Sequence, residues 1–131
     1  MRPSSASPAI VTSHVAESRE FYQKFFGARL VFDCGWYINV EFAEGLSAQF
    51  MEPQGDMPVC QPAGLTYNFR VEDVDAEFAN LVALGLMPEE PPEDHPWGDR
   101  GFMVTDPSGV GLYIYSDIEP AEEFKSAFLT T

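Results

Sequence analysis

Asp106-Pro-Ser-Gly-Val-Gly-Leu-Tyr-Ile-Tyr115 is the stretch whose reading decides the fold. Asp-Pro-Ser-Gly is a turn, in which proline fixes φ and glycine supplies an open conformation. The run that follows alternates, with Val110, Leu112 and Ile114 on one face and Gly111, Tyr113 and Tyr115 on the other. That pattern is a strand buried on one side only. Its apolar face calls for a helix, and its other face is free to line a pocket.

The rest of the chain reads as two copies of a unit that ends in such a strand. In the first, residues 9–12 form a strand and Ser13 or His14 caps a helix. Val15, Tyr22, Phe25 and Phe26 share one side of that helix, and Gly27 stops it. Arg29–Cys34 is a strand with Leu30 and Phe32 on one face. Gly35 breaks it, Trp36–Phe42 is the next strand, and Ala43-Glu-Gly45 turns the chain into Leu46–Met51. The second copy begins with the strand Leu65–Val71, whose core set is Leu65, Tyr67, Phe69 and Val71. Asp73 caps a helix carrying Val74, Phe78, Leu81 and Val82, ended by Gly85. Leu86–Glu89 is expected as a short strand and Pro91–Gly98 as an acidic, proline-rich loop, before the closing hairpin of Arg100–Thr105 and Val110–Ser116. Phe21 precedes Gly27 by six residues and Phe78 precedes Gly85 by seven, so the two helices align. Repetition at this scale predicts an α+β fold of paired β-α-β-β-β modules, forming a curved mixed sheet around a cleft.

A length of 131 residues suits one compact domain or two small fused modules, and a hydrophobic content of 45% supports a core. The expected layout is a disordered lead-in over 1–8, one domain over 9–118 with modules 9–51 and 64–118 joined by a linker at 52–63, and a helical tail over 119–131. No apolar run approaches the roughly 20 residues of a membrane span, and Met1–Ser7 lacks the apolar core of a signal peptide. Cys34 and Cys60, without a secretion signal, read as reduced thiols of a cytoplasmic protein. The net charge is −14, and residues 72–131 carry fourteen acids against two bases. Such a surface repels nucleic acid and anionic membranes. It either attracts cationic small molecules or serves solubility alone.

Three motifs then converge: Ser18-Arg-Glu-Phe-Tyr-Gln-Lys-Phe-Phe-Gly27, Val71-Glu-Asp-Val-Asp75 and Asp106-Pro-Ser-Gly109. With Gly35-Trp-Tyr37 and Pro96-Trp-Gly98, their order resembles the vicinal oxygen chelate superfamily, in its glyoxalase/bleomycin-resistance-like branch. The resemblance runs from about Ala9 to Ile118. It implies, for the metal enzymes of that superfamily, His, Glu or Gln ligands at positions that fall here near Ser7, Ser47, Thr66 and Tyr113. None of these is a usual ligand for a divalent metal, and Gln49 is the nearest substitute. The resemblance therefore implies no metal, no cofactor and no catalytic residue.

Strand alternation supplies the candidate binding wall. Ser47, Gln49 and Met51 share one cleft face, Thr66, Asn68 and Arg70 another, and Tyr113 and Tyr115 face the cleft from the last strand. Trp36, Trp97, Arg100 and Phe102 frame it in motif terms. The ligand-binding set is thus Trp36, Gln49, Thr66, Asn68, Trp97, Arg100, Phe102, Tyr113 and Tyr115. His14 reads as a capping or exposed residue. His95 sits in a loop, where functional residues concentrate. No Ser-His-Asp, Cys-His, phosphate-loop or CxxC pattern is present. The expected function is a metal-independent, homodimeric small-molecule binding protein that sequesters an aromatic or cationic compound. The alternatives are a divalent-metal glyoxalase or dioxygenase whose ligands lie elsewhere, and a structural dimer with a vestigial cleft.

Overall fold

A computed structural model describes residues 1–129, so the last two residues of the expected tail lie outside the described chain. Two compact units result: Met1–Leu65 together with Asp106–Val110, and Thr66–Thr105 together with the chain from Gly111 onward.

The first unit contains β1 (Ala9–Val11), α1 (Val15–Phe26), β2 (Arg29–Asp33), β3 (Tyr37–Ala43) and β4 (Leu46–Met51). Its sheet has the order β1-β4-β3-β2, with β1 parallel to β4 and the other pairs antiparallel. Val15, Ser18, Phe21 and Tyr22 recur at helical spacing and are buried, which gives α1 one apolar stripe. That stripe covers the sheet face carrying Ile38, Val40, Ala48 and Phe50, all buried. The Tyr22 ring stacks on Phe50 at 5.1 Å between centroids. Gly27, at φ 59°, ends the helix in the left-handed conformation. At the other end neither expected cap acts. His14 holds the N-cap position without a side-chain cap bond, and its Nδ1 instead lies 3.0 Å from the Glu17 carboxylate.

The Asp106–Val110 turn is built into this unit by a buried carboxylate. Asp106 is 4% exposed. Its Oδ1 accepts the backbone N–H groups of Ser108 and Val110, each at 2.9 Å, and its Oδ2 accepts the Tyr22 hydroxyl at 2.6 Å. Ser108 donates its hydroxyl to Thr12 at 2.9 Å. Burial pushes the Asp106 carboxyl above its ordinary range, against the opposing pull of the Tyr22, Val110 and Ser108 donors.

The second unit contains β5 (Thr66–Arg70), α2 (Val74–Ala83), β6 (Glu93–His95), β7 (Asp99–Thr105), β8 (Gly111–Asp117) and the short α3 (Glu122–Lys125). Its sheet repeats the first one's plan in the order β5-β8-β7-β6, with β5 parallel to β8. Asp73 caps α2 as expected, accepting the Ala76 N–H at 3.1 Å. Phe78 of α2 meets Phe102 of β7 edge-on at 5.1 Å.

Five local expectations are corrected. Leu86–Glu89 forms no strand. The edge strand is β6, inside the stretch expected as a loop, because Pro91 and Pro92 lack the N–H groups a ladder needs and pairing starts only at Glu93. Phe32 does not share a face with Leu30: a bulge between them sets Leu30 opposite Val40 and Phe32 opposite Asn39, so Phe32 turns to the side away from α1. Leu65 precedes its strand and is exposed, rather than part of the core set. The helix expected near Pro120–Phe128 shrinks to the single turn Glu122–Lys125.

Removing the Tyr22 hydroxyl tests the Asp106 anchor. Tyr22→Phe leaves one oxygen of a buried acid short of a donor, and should cost about 1–3 kcal/mol in urea unfolding at pH 7. The lost bond favours the ionised acid. The variant's Asp106 therefore titrates higher still, and the deficit should shrink as pH falls toward about 4. An equal deficit at both pH values would mean that the hydroxyl does not serve the carboxylate.

Candidate functional site

In each unit, one sheet face is covered by a helix and the other carries most of the candidate residues. In the second unit, alternation and register put His95 of β6, Asp99 and Gly101 of β7, and Tyr113 and Tyr115 of β8 on the face opposite α2. Thr66 and Asn68 of β5 lie on that face too, opposite Gly111 and Tyr113.

Asp99 organises the group. Its Oδ1 accepts the Tyr113 hydroxyl at 2.5 Å and lies 2.9 Å from His95 Nδ1. Its Oδ2 accepts the Trp97 indole N–H at 2.6 Å. Burial pushes the Asp99 carboxyl up, but the bonds from Tyr113, His95 and Trp97 outweigh it and hold the group below the ordinary range. Burial, the bond to Asp99 and nearby negative charge, Glu93 included, push the Tyr113 phenol well above its ordinary value. The rings follow from these bonds. His95 and Trp97 stack at 4.6 Å with planes 3° apart, and Tyr113 stacks on Tyr115 at 5.6 Å. Trp97 remains 50% exposed. Gly101 makes the geometry possible: a Cβ there would sit 2.5 Å from Cζ and from the hydroxyl oxygen of Tyr113.

In the first unit, Gln49 lies on the face opposite α1, in register with Asn39. Ser7 donates to Gln49 Oε1 at 2.9 Å, and Gln49 Nε2 donates to Asn39 Oδ1 at 3.1 Å. This polarity leaves the Asn39 amide hydrogens as donors at the end of the row. Phe32 and Tyr37 meet edge-on at 5.8 Å beside it. Trp36 precedes β3 rather than starting it, and stands edge-on to Tyr37 at 6.1 Å.

Two expected site residues lie elsewhere. Phe102 is 2% exposed and belongs to the face under α2. Arg100 shares that face's parity: its guanidinium bonds Asp75 of α2 at 2.9 and 3.0 Å and Asp94 of β6 at 3.0 Å. It ties the first turn of α2 to the edge strand. Both follow from β7 alternation once Tyr113 fixes the register. Sequence reasoning missed Asp99, Asn39, Tyr37 and Phe32. The spacing His95-x-Trp97-x-Asp99 and the alternation of Tyr37, Asn39 and Glu41 carried the signal for the first three, whereas the bulge hid Phe32.

The side chains at the positions that the resemblance assigns to metal ligands do not fit a divalent cation. Ser7 is hydrogen-bonded to Gln49, Thr66 offers only a hydroxyl, and the Tyr113 phenol is held protonated beside Asp99. Among the described residues, no three His, Cys, Asp or Glu residues group as a metal site.

A family model, the glyoxalase/bleomycin resistance protein/dioxygenase superfamily, matches residues 5–114, and the chain belongs to that superfamily. Similar solved structures include a glyoxalase/bleomycin resistance protein/dioxygenase from Nocardioides, at 21% identity and TM-score 0.76 over 91% of this chain and 86% of that one. A bleomycin-binding protein complexed with bleomycin matches at 18% identity and TM-score 0.70, over 88% and 99% of the two chains. Lactoylglutathione lyase from Agrobacterium tumefaciens matches at 19% identity and TM-score 0.69, over 88% and 96%. At these identities the shared property is the fold. No curated protein sequence matches the chain.

The Asp99 clamp has a pH signature. A carboxyl held below its unfolded value contributes stability that is present above that value, near pH 4, and is lost as pH falls through the folded one. Asp99→Asn should remove this acid-labile component from melting temperatures recorded between about pH 5 and pH 2. The same variant should lower the pH at which Tyr113 ionises, read from tyrosinate absorbance. Unchanged Tyr113 titration would overturn the assignment of Asp99 as its partner.

Proposed function

We propose that this protein is a metal-independent small-molecule binding protein that holds an aromatic, cationic compound against the sheet face opposite α2 and protects the cell by sequestering it. The single observation that carries the reading is Asp99, one carboxylate that fixes His95, Trp97 and Tyr113 in place before any ligand arrives. Rigid aromatic faces beside acidic groups suit organic cations through stacking and cation–π attraction. Trp97, His95, Tyr113, Tyr115, Thr66 and Asn68 supply that wall. In the first unit, Gln49 with Asn39, Tyr37 and Trp36 supplies a second, neutral one. The fold shared with a bleomycin-binding protein supports the class of activity, antibiotic resistance included.

The free thiols Cys34 and Cys60 suit a reducing cytoplasm. No described helix is long and apolar enough to cross a membrane. Phe128 and Leu129 are exposed at the end of the described chain and suit a homodimer contact.

A thermal-shift screen of bleomycin and aromatic cations identifies a ligand. For the best of these, Trp97→Ala should weaken affinity about 5- to 150-fold, mainly through a faster off-rate in stopped-flow measurements. Glu93→Gln should slow association and flatten its salt dependence. An unchanged off-rate in Trp97→Ala would show that the ligand does not stack there. Elemental analysis of the purified protein should find less than about 0.1 equivalent of Zn, Fe, Mn or Ni. One equivalent, with activity lost on chelation, would replace this reading by a metal-dependent enzyme.

A further inference from the structure

The His95 ring has one nitrogen committed and one to spare. Nδ1 lies 2.9 Å from Asp99 Oδ1 and 3.0 Å from the Tyr113 hydroxyl. The Tyr113 hydroxyl already donates its proton to Asp99. An ionised Asp99 only accepts, so the hydrogen of this contact sits on Nδ1. The neutral imidazole then carries its lone pair on Nε2, which has no hydrogen-bond partner among the described residues. The ring cannot easily turn to change this. Its plane is stacked on Trp97, and the Trp97 N–H is bound to the other oxygen of the same carboxylate. The His95 side chain is 24% exposed, so Nε2 belongs to a partly desolvated acceptor of fixed orientation.

We propose that His95 Nε2 is the acceptor that selects organic cations bearing an N–H group, such as amidinium or protonated amine, over cations of equal charge without one. The inference rests on the reading of this sheet face as the ligand wall, and adds the chemical class of the group recognised. Stacking and long-range attraction to the acidic surroundings favour any aromatic cation alike, because neither senses a hydrogen. An oriented acceptor discriminates: a charged donor satisfied by it gains a charge-assisted bond, and a quaternary ammonium gains nothing. Glu93, on the same face and close enough to raise the Tyr113 phenol, adds charge without adding that direction.

The test uses the full-length protein and three probes of similar ring size: benzamidinium, benzyltrimethylammonium and benzoate. Calorimetric titrations are run at pH 8. Wild type should bind benzamidinium about 10- to 100-fold more tightly than benzyltrimethylammonium, the span of one hydrogen bond to a charged group. His95→Phe keeps a ring against Trp97 and removes the acceptor. It should bring the ratio close to one by weakening benzamidinium alone. His95→Gln, which restores an oxygen acceptor, should recover part of the preference, and it carries the comparison if the phenylalanine variant fails to fold. A ratio that is the same in wild type and His95→Phe overturns the proposal and leaves small-molecule binding standing. Benzoate binding tighter than benzamidinium overturns it as well. Absence of binding by both cations at millimolar concentration overturns this proposal together with the ligand-wall reading.

Discussion

The buried carboxylate of Asp106 is the constraint on which the first unit depends. Ionised acids are expensive to bury and are kept only when every oxygen is satisfied. Here two backbone N–H groups of its own turn and the Tyr22 hydroxyl do so. The consequence reaches along α1. Tyr22 has to lie where its hydroxyl meets Asp106 while its ring stacks on Phe50, which fixes the helix in rotation and in height over β3 and β4. Ser18 and Thr12, both buried, meet the same turn through Ser108. A polar cluster of this kind specifies one arrangement where apolar packing alone tolerates several.

The second unit uses an acid in the opposite sense. Asp99 sits near the surface rather than in the core, and its donors are side chains rather than backbone. Three of those donors belong to aromatic residues, so satisfying the carboxylate also sets the planes of their rings. The two acids therefore shift in opposite directions: burial dominates at Asp106, and donors dominate at Asp99. The first organises a fold and the second organises a surface. A surface whose rings are already immobilised loses little entropy when a flat ligand arrives.

Legibility in the sequence varied with how far each signal had to travel. Alternation in Leu46–Met51, Thr66–Arg70 and Gly111–Asp117 placed Gln49, Thr66, Asn68, Tyr113 and Tyr115 on the faces away from the helices, because strand parity is a local property. Arg100 and Phe102 were placed by proximity to motifs rather than by parity, and both turned out to point toward α2. The edge strand β6 was hidden because two prolines read as a loop, although the ladder needs only three residues after them. Phe32 was hidden because a bulge has no signature in the residue pattern; it appears only when β2 is laid against β3.

The sequence by itself determined the β-α-β-β-β order of the first unit, the apolar stripe of α1, the aspartate cap of α2 and the turn at Asp106. Each of these rests on periodicity or on residues within a few positions of one another. Tertiary structure alone decided what the polar residues do. Tyr22 and Asp106 are 84 positions apart, and Arg100 and Asp75 are 25 apart. No spacing rule pairs them, since their meeting depends on how strands register and how helices cross. The Asp99 cluster lies between these cases: His95, Trp97 and Asp99 are near neighbours in the chain, but Tyr113 joins them only because β7 and β8 pair with Gly101 beneath its ring.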